Sequence, residues 1–337
     1  MGQGAILIVG ASAGSAGDGS SVCPGPLECV EIVGRSLLER MVDRFIAVEA
    51  DPISILLLGG DVAPFRTART NVTIEKVSDL STAVRAKLSS FARRGIQHSF
   101  VSWASAYVET DLLDLFCFHR ESRQSVTPTF NENGPLPLWV VDCSSKVSQS
   151  EACGFQETGQ LSKSKYFVRE YVNRVTAAQH LRTFAADILN RRCETDPAGK
   201  QVRPGVWMDD GADVHRRARI VAPAYIGCQA TVQADALITR LSHVERNCRV
   251  EYGTVVEDSS ILENTTVGIC LDVCHSVASG NRILSLERGV VVEITDPRVM
   301  RYSAPPRNNS LRASQGLPQA VDVTATQLLP AFQFENI

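Results

Sequence analysis

From Met208 to Leu262 the chain repeats a six-residue unit without interruption. Val214, Ile220, Ile226, Val232, Ile238, Val244, Val250, Val256 and Leu262 stand six apart. Two positions before them come Ala212, Ala218, Ala224, Ala230, Ala236, Ser242, Cys248, Thr254 and Ser260. A helix, turning every ~3.6 residues, and a single strand of period two both fail to give this spacing. Three hexads make one triangular coil of about 18 residues, with each aliphatic residue inside and the small residue in the tight corner, as in hexapeptide β-helices. The following residues, His215, Gly227, Gln233, Thr239, Glu245, Glu251, Glu257 and Glu263, are expected to face solvent. Such coils are stable only when stacked and covered at their ends, so the flanking chain must supply covers.

The chain has 337 residues, enough for two cores. Lys plus Arg number 34 against 37 Asp plus Glu, so bulk charge recruits neither nucleic acid nor an anionic membrane. No apolar run reaches spanning length, and Ala5–Val9 lacks a basic segment before it. A cytoplasmic protein is expected. Among the ten cysteines no Cys-x-x-Cys occurs, Cys270 and Cys274 being nearest, so most are expected to be buried thiols and no metal site is assigned.

The N-terminal part reads as an α/β sheet. Ala5–Val9 is a buried strand, followed by Gly10, Gly14, Gly17 and Gly19, a glycine-rich segment whose amides could approach a phosphate. Ser36 with Glu39 forms a capping box for a helix over Leu37–Val48. Ile53–Leu58 is a strand, Asp79–Arg93 a helix, His98–Trp103 a strand, and Leu138–Val141 another. Lys165–Arg192 reads as one long helix or two short ones covering the first coil of the repeat. The boundaries expected are 1–192 for the α/β domain with its helical segment, 193–205 for a linker, 206–303 for the repeat with its closing strands, and 304–337 for a tail.

The strand and glycine loop, Pro24-Gly25-Pro26-Leu27, Val33-Gly34-Arg35-Ser36-Leu37-Leu38-Glu39-Arg40 and the hexads together resemble the sugar-phosphate nucleotidyltransferases, or sugar-nucleotide pyrophosphorylases. Tyr107 to Leu115 with Phe118-His119 is similar to the segment after that family's metal-binding aspartate. The resemblance implies a Rossmann-like nucleotidyltransferase domain followed by a left-handed parallel β-helix, which makes a nucleotide sugar and pyrophosphate from a nucleoside triphosphate and a sugar 1-phosphate. It also implies magnesium as cofactor if the chain is catalytically active. In that family a loop arginine, the lysine of Pro-Lys-Pro and the aspartate neutralise phosphate charge. Here no Arg or Lys precedes Arg35, Gly25 stands at the lysine position and Ser105 at the aspartate position. Losing one preorganised cation at a transferring phosphate costs roughly three to five orders of magnitude. The expected ligand is a nucleotide sugar or sugar phosphate, bound with reduced or no transfer. Asp61, Glu109, Asp111 and Asp142 remain as acidic candidates near strand ends, against ordinary capping roles.

Two other readings stay open. A non-catalytic regulatory or scaffold subunit of a sugar-nucleotide pathway would use the repeat to form a homo-oligomer or to pair with another subunit. A hexapeptide acyltransferase would need a histidine base, for which outward-facing His243 is the best candidate beside His215 and His275.

Overall fold

The structure, a computed structural model, describes residues 2–10, 22–23, 25–58, 71–144 and 164–303. All belong to one compact unit, Met1–Ala304. It is a mixed α/β protein with parallel sheets, and its C-terminal part is built almost entirely of short strands.

The N-terminal strands are β1 (Gln3–Val9), β2 (Glu31–Ile32), β3 (Arg35–Ser36), β4 (Ile53–Leu58), β5 (Val72–Val77), β6 (His98–Trp103), β7 (Ala106–Val108), β8 (Val126–Asn131), β9 (Gly134–Asp142), β10 (Tyr166–Phe167) and β11 (Val172–Arg174). The helices are α1 (Leu37–Ala47), α2 (Leu80–Arg93), α3 (Leu112–Ser122) and α4 (Ala178–Leu189). Seven strands form one sheet in the order β10-β8-β9-β6-β1-β4-β5. β1 runs parallel to both β4 and β6, whereas β9 is antiparallel to β6 and β8. Period-two alternation sends Ala5, Leu7 and Val9 into the core shared with α1 and α4, and Ile6 and Ile8 into the core shared with Val84, Leu88 and Phe91 of α2. Because both faces are covered, β1 reads as an unbroken apolar run. Full burial of each such side chain contributes about 1.5–3 kcal/mol.

Ser36 accepts the Glu39 amide while Glu39 accepts the Ser36 amide, so α1 starts where the capping box places it. The expected elements at 53–58, 79–93 and 98–103 are all present. β5 was not expected: it is a sheet edge with Thr73, Glu75 and Lys76 exposed, and it carries little apolar signal. The helix expected over 165–192 begins only at Ala178. Ahead of it Val172–Arg174 pairs antiparallel with β7, and the aromatic and β-branched residues there serve strands. Nor does α4 cover the first part of the repeat; its Arg182 reaches the Arg240 carbonyl and the Asp258 carboxylate, further along.

After residue 200 the chain visits three sheets in turn. The first contains Val206–Met208, Ala224–Ile226, His243–Val244, Ser260–Ile261 and Ser276–Ser279; the second Asp213–Val214, Thr231–Val232, Arg249–Val250 and Thr265–Val267; the third Arg219–Ile220, Leu237–Thr239, Val255–Glu257 and Asp272–Cys274. Within each, neighbours are parallel, and Val214 pairs with Val232, Val232 with Val250, Ile220 with Ile238 and Ile238 with Val256, steps of eighteen residues. Ala230, Val232, Ala236, Ile238, Val244, Val250 and Val256 form an inner core with no exposure. Asp235, Asn247 and Asn264 occupy left-handed conformations between strands, which Asn and Asp tolerate best after Gly. The step shortens earlier than the hexads indicate: Val244 pairs with Ile261, so Ile261 points inward and Leu262 joins the core of the N-terminal half. Antiparallel strands Arg282–Ser285 and Val290–Glu293 end the first sheet, and Met300–Tyr302 ends the second.

The three outward faces are not equivalent. On the first sheet Trp207, Tyr225, His243, Ser260 and Val277 lie side by side in register. Tyr225 and Val277 belong to the core of the N-terminal half, which covers this face. Gly227, His243 and Glu245 are therefore buried, contrary to the solvent-facing positions expected for them, while His215 is exposed and Thr239, Glu251, Glu257 and Glu263 are half-buried. No helix among the described residues is long and apolar enough to cross a membrane.

Candidate functional site

In the seven-stranded sheet β1 lies between β4 and β6, so the chain winds first to one side of β1 and then to the other. A crevice forms where the C-terminal ends of such strands diverge, and ligands of open α/β sheets bind there. Gly10 ends β1 at φ +142°, and a Cβ on it would lie 2.7 Å from the Leu58 carbonyl oxygen at the end of β4. Only glycine meets both demands. Beyond β6, the Ala104 amide donates to the Ile8 carbonyl at 2.8 Å, and the Ser105 carbonyl accepts the Val175 amide at 2.7 Å. The turn carrying Ser105 is thereby fixed beside the end of β1. Gly14, Gly17, Gly19 and Asp61 lie outside the described residues.

Gly25 is exposed, and a Cβ there would meet no atom within 4 Å. The described neighbours thus leave room for a first side-chain carbon at the position where the resemblance places a lysine. Ser105 is half-buried and offers a hydroxyl where a magnesium ligand needs a carboxylate. The residues present do not fit magnesium at this position. Among the described residues no three His, Cys, Asp or Glu side chains converge to hold a metal ion.

The acidic candidates do not gather at the crevice. Glu109 is 3% exposed and its Oε1 accepts the Glu194 amide at 2.8 Å, which ties the segment before residue 200 to β7; burial pushes its carboxyl above the usual range. Asp111 caps α3, its Oδ1 accepting the Leu113 and Asp114 amides at 2.9 and 3.1 Å. Asp142 pairs in register with His98, at the end of the sheet opposite Gly10, and accepts the Ser144 amide and hydroxyl. Asp111 and Asp142 serve the local chain, and Glu109 holds a distant segment in place.

His243 is not a surface base. It is fully buried, neither ring nitrogen has a hydrogen-bond partner among the described residues, and burial followed by the charge of Arg182 holds its pKa well below the ordinary value. Its Nε2 lies 3.6 Å from Glu245 Oε1. Glu245, equally buried, accepts the Val33 amide at 2.6 Å and the Gly34 amide at 3.0 Å, and burial raises its pKa well above the ordinary carboxylate value. Arg246 pairs with Glu31 at 2.9 Å in the same seam. The Val33-Gly34 turn that resembles a nucleotidyltransferase motif is thus the contact that docks the N-terminal half on the strands behind it.

Reasoning from sequence overlooked the buried Glu28, three residues after Gly25, whose carboxyl is raised by burial, and the edge-to-face pair of His98 and His119 at 5.1 Å. No periodic signal marks either. A small, partly open cleft between α1, β6 and α3 is lined in part by Arg44 and Ser102. Both are occupied, Arg44 by the Val108 and Thr110 carbonyls and Ser102 by the Pro137 carbonyl. The cysteines divide more evenly than expected: Cys23, Cys143 and Cys248 are buried, while Cys117, Cys270 and Cys274 are exposed. No protein-family model matches this sequence, and no curated protein matches it either.

Proposed function

We propose that the chain is a sugar-nucleotide pyrophosphorylase-like protein that binds a nucleotide sugar or sugar phosphate at the β1–β6 crevice, with little or no nucleotidyl transfer. The observation that carries this reading is the strand order around β1 together with Gly10, whose geometry brings backbone close to the crevice. The three sheets of the C-terminal part, visited in turn with steps of eighteen residues, support reading it as a left-handed parallel β-helix. The neutral Gly25 and Ser105 are the reason for assigning binding without efficient transfer, because phosphoryl transfer depends on positioned charge. The burial of His243 argues against it as the base of an acyltransferase, for which only His215 and the half-buried His275, 2.7 Å from Asp258, are left.

The test is calorimetric titration of the full chain with nucleotide sugars and sugar 1-phosphates, run beside a pyrophosphate-release assay with nucleoside triphosphates, sugar 1-phosphates and magnesium. Binding without pyrophosphate release is expected. Turnover at an ordinary enzymatic rate, about 10 per second, would reject the reading, and absence of all binding would leave the scaffold role.

A further inference from the structure

The third sheet of the C-terminal part carries an outward pattern that the proposed ligand site does not use. Its register aligns Arg219, Leu237, Val255 and Asp272 in one column across four strands, while Ile220, Ile238, Val256 and Val273 point into the core. The column therefore runs cation, apolar, apolar, anion. Neither the Arg219 nor the Asp272 side chain makes a hydrogen bond or ion pair with another described residue. In the next outward column Val221 is 42% exposed at one end, and Cys274 is exposed at the other. The first sheet's outer face is covered by the N-terminal half, and the second presents Asp213, Thr231 and Arg249, all polar. Only the third combines an apolar centre with unpaired opposite charges at its two ends.

We infer that this face binds a second copy of the chain about a two-fold axis that runs along the strands between Leu237 and Val255. Adjacent strands lie about 4.8 Å apart, so Arg219 and Asp272 are separated by roughly 14 Å along the stack. Rotation about that axis reverses the column. Arg219 of one copy then meets Asp272 of the other, Leu237 meets Val255, and Val221 meets Cys274. No like charges are brought together in these columns. A pattern that is its own complement is what an isologous interface requires, and this favours a second copy over an unrelated partner. One face of four short strands is smaller than the ~800 Å² per partner of a standard interface, so a weak, concentration-dependent dimer is expected.

Sedimentation of the full chain over about 1–200 μM in low salt tests this, and association should weaken as salt screens the charge pairs. Arg219→Asp and Asp272→Arg, each alone, should weaken association at least about tenfold. The double variant Arg219→Asp with Asp272→Arg should restore it, because each pair is rebuilt across the axis. All four residues are outward on the sheet, and circular dichroism of each variant checks that the fold is kept. A chain that stays monomeric at the highest concentration overturns the inference. So does a dimer indifferent to the single reversals, or one that the double reversal fails to rescue.

Discussion

Glu245 and Val33, 212 residues apart in the chain, are joined by a buried hydrogen bond of 2.6 Å from the Val33 amide to Oε1, and the adjacent Gly34 amide binds Oε2. Val33 is held at φ +49°, a conformation that β-branched residues rarely adopt. The carboxyl group of Glu245 thus secures a strained turn at the junction of the two halves. Glu245→Ala leaves two amides without acceptors and should cost about 2–4 kcal/mol. Glu245→Gln, which keeps one acceptor, should cost less. Denaturant unfolding measures both, and equal losses would show that the acceptors are not the cause.

Gly34 stands at φ +82°, and a Cβ there would overlap the Tyr225 hydroxyl and the Ala198 side chain. Tyr225 is fully buried and has no room to retreat. Gly34→Ala should destabilise by at least about 1–3 kcal/mol through strain, seen as a lower unfolding midpoint. The control Gly25→Ala, whose Cβ meets no described atom within 4 Å, should leave the midpoint unchanged.

Acid should unfold the protein through its buried histidines. His119, whose Nδ1 lies 2.8 Å from the Thr127 hydroxyl oxygen, is pushed from its ordinary 6.5 down to about 4 by burial, with His98 adding to the shift. Between those values the unfolded chain binds the proton and the folded one does not, so stability is full above pH 6.5 and lost as pH falls towards 4. The loss from His119 is on the order of 3 kcal/mol. His243 acts in the same sense. Glu245, whose carboxyl is raised, contributes with the opposite sign, its share being present at low pH and lost as pH rises. His119→Asn should flatten the slope between pH 6.5 and 4, read from urea midpoints across that range. An unchanged slope would place the acid sensitivity elsewhere.

Gly25→Lys tests the ligand site. A Cβ added at Gly25 meets no described atom within 4 Å. If phosphate is bound at the crevice, the variant should tighten nucleoside triphosphate or nucleotide-sugar binding by about fivefold to tenfold, near 1 kcal/mol. Calorimetry gives the affinity, and the gain should shrink as salt is raised. Weaker binding, or none in either protein, would remove the site from this crevice.

Much of the framework is legible in local pattern. The capping box of Ser36 and Glu39 gives the start of α1, and alternation in β1 gives two covered faces. The hexads give the eighteen-residue step and the inner core from Ala230 to Val256. Local pattern fails at Val172–Arg174, where apolar residues with helical spacing instead form a strand, because β7 offers an antiparallel partner from far away in sequence. It fails again at Ile261, where the step loses one residue and Leu262 changes cores.

Periodicity states which residues point in and which point out from their own strands, since that follows from backbone geometry over a few residues. It carries no information about what settles on each outward face. Glu245 and Thr239 occupy equivalent outward positions, each just after an inward aliphatic residue, yet Glu245 is wholly buried and Thr239 only half-buried, because the N-terminal half docks on one sheet and leaves another open. The roles of Glu245, His243 and the Val33-Gly34 turn are therefore set by contacts across more than two hundred residues, where tertiary packing alone supplies the partner.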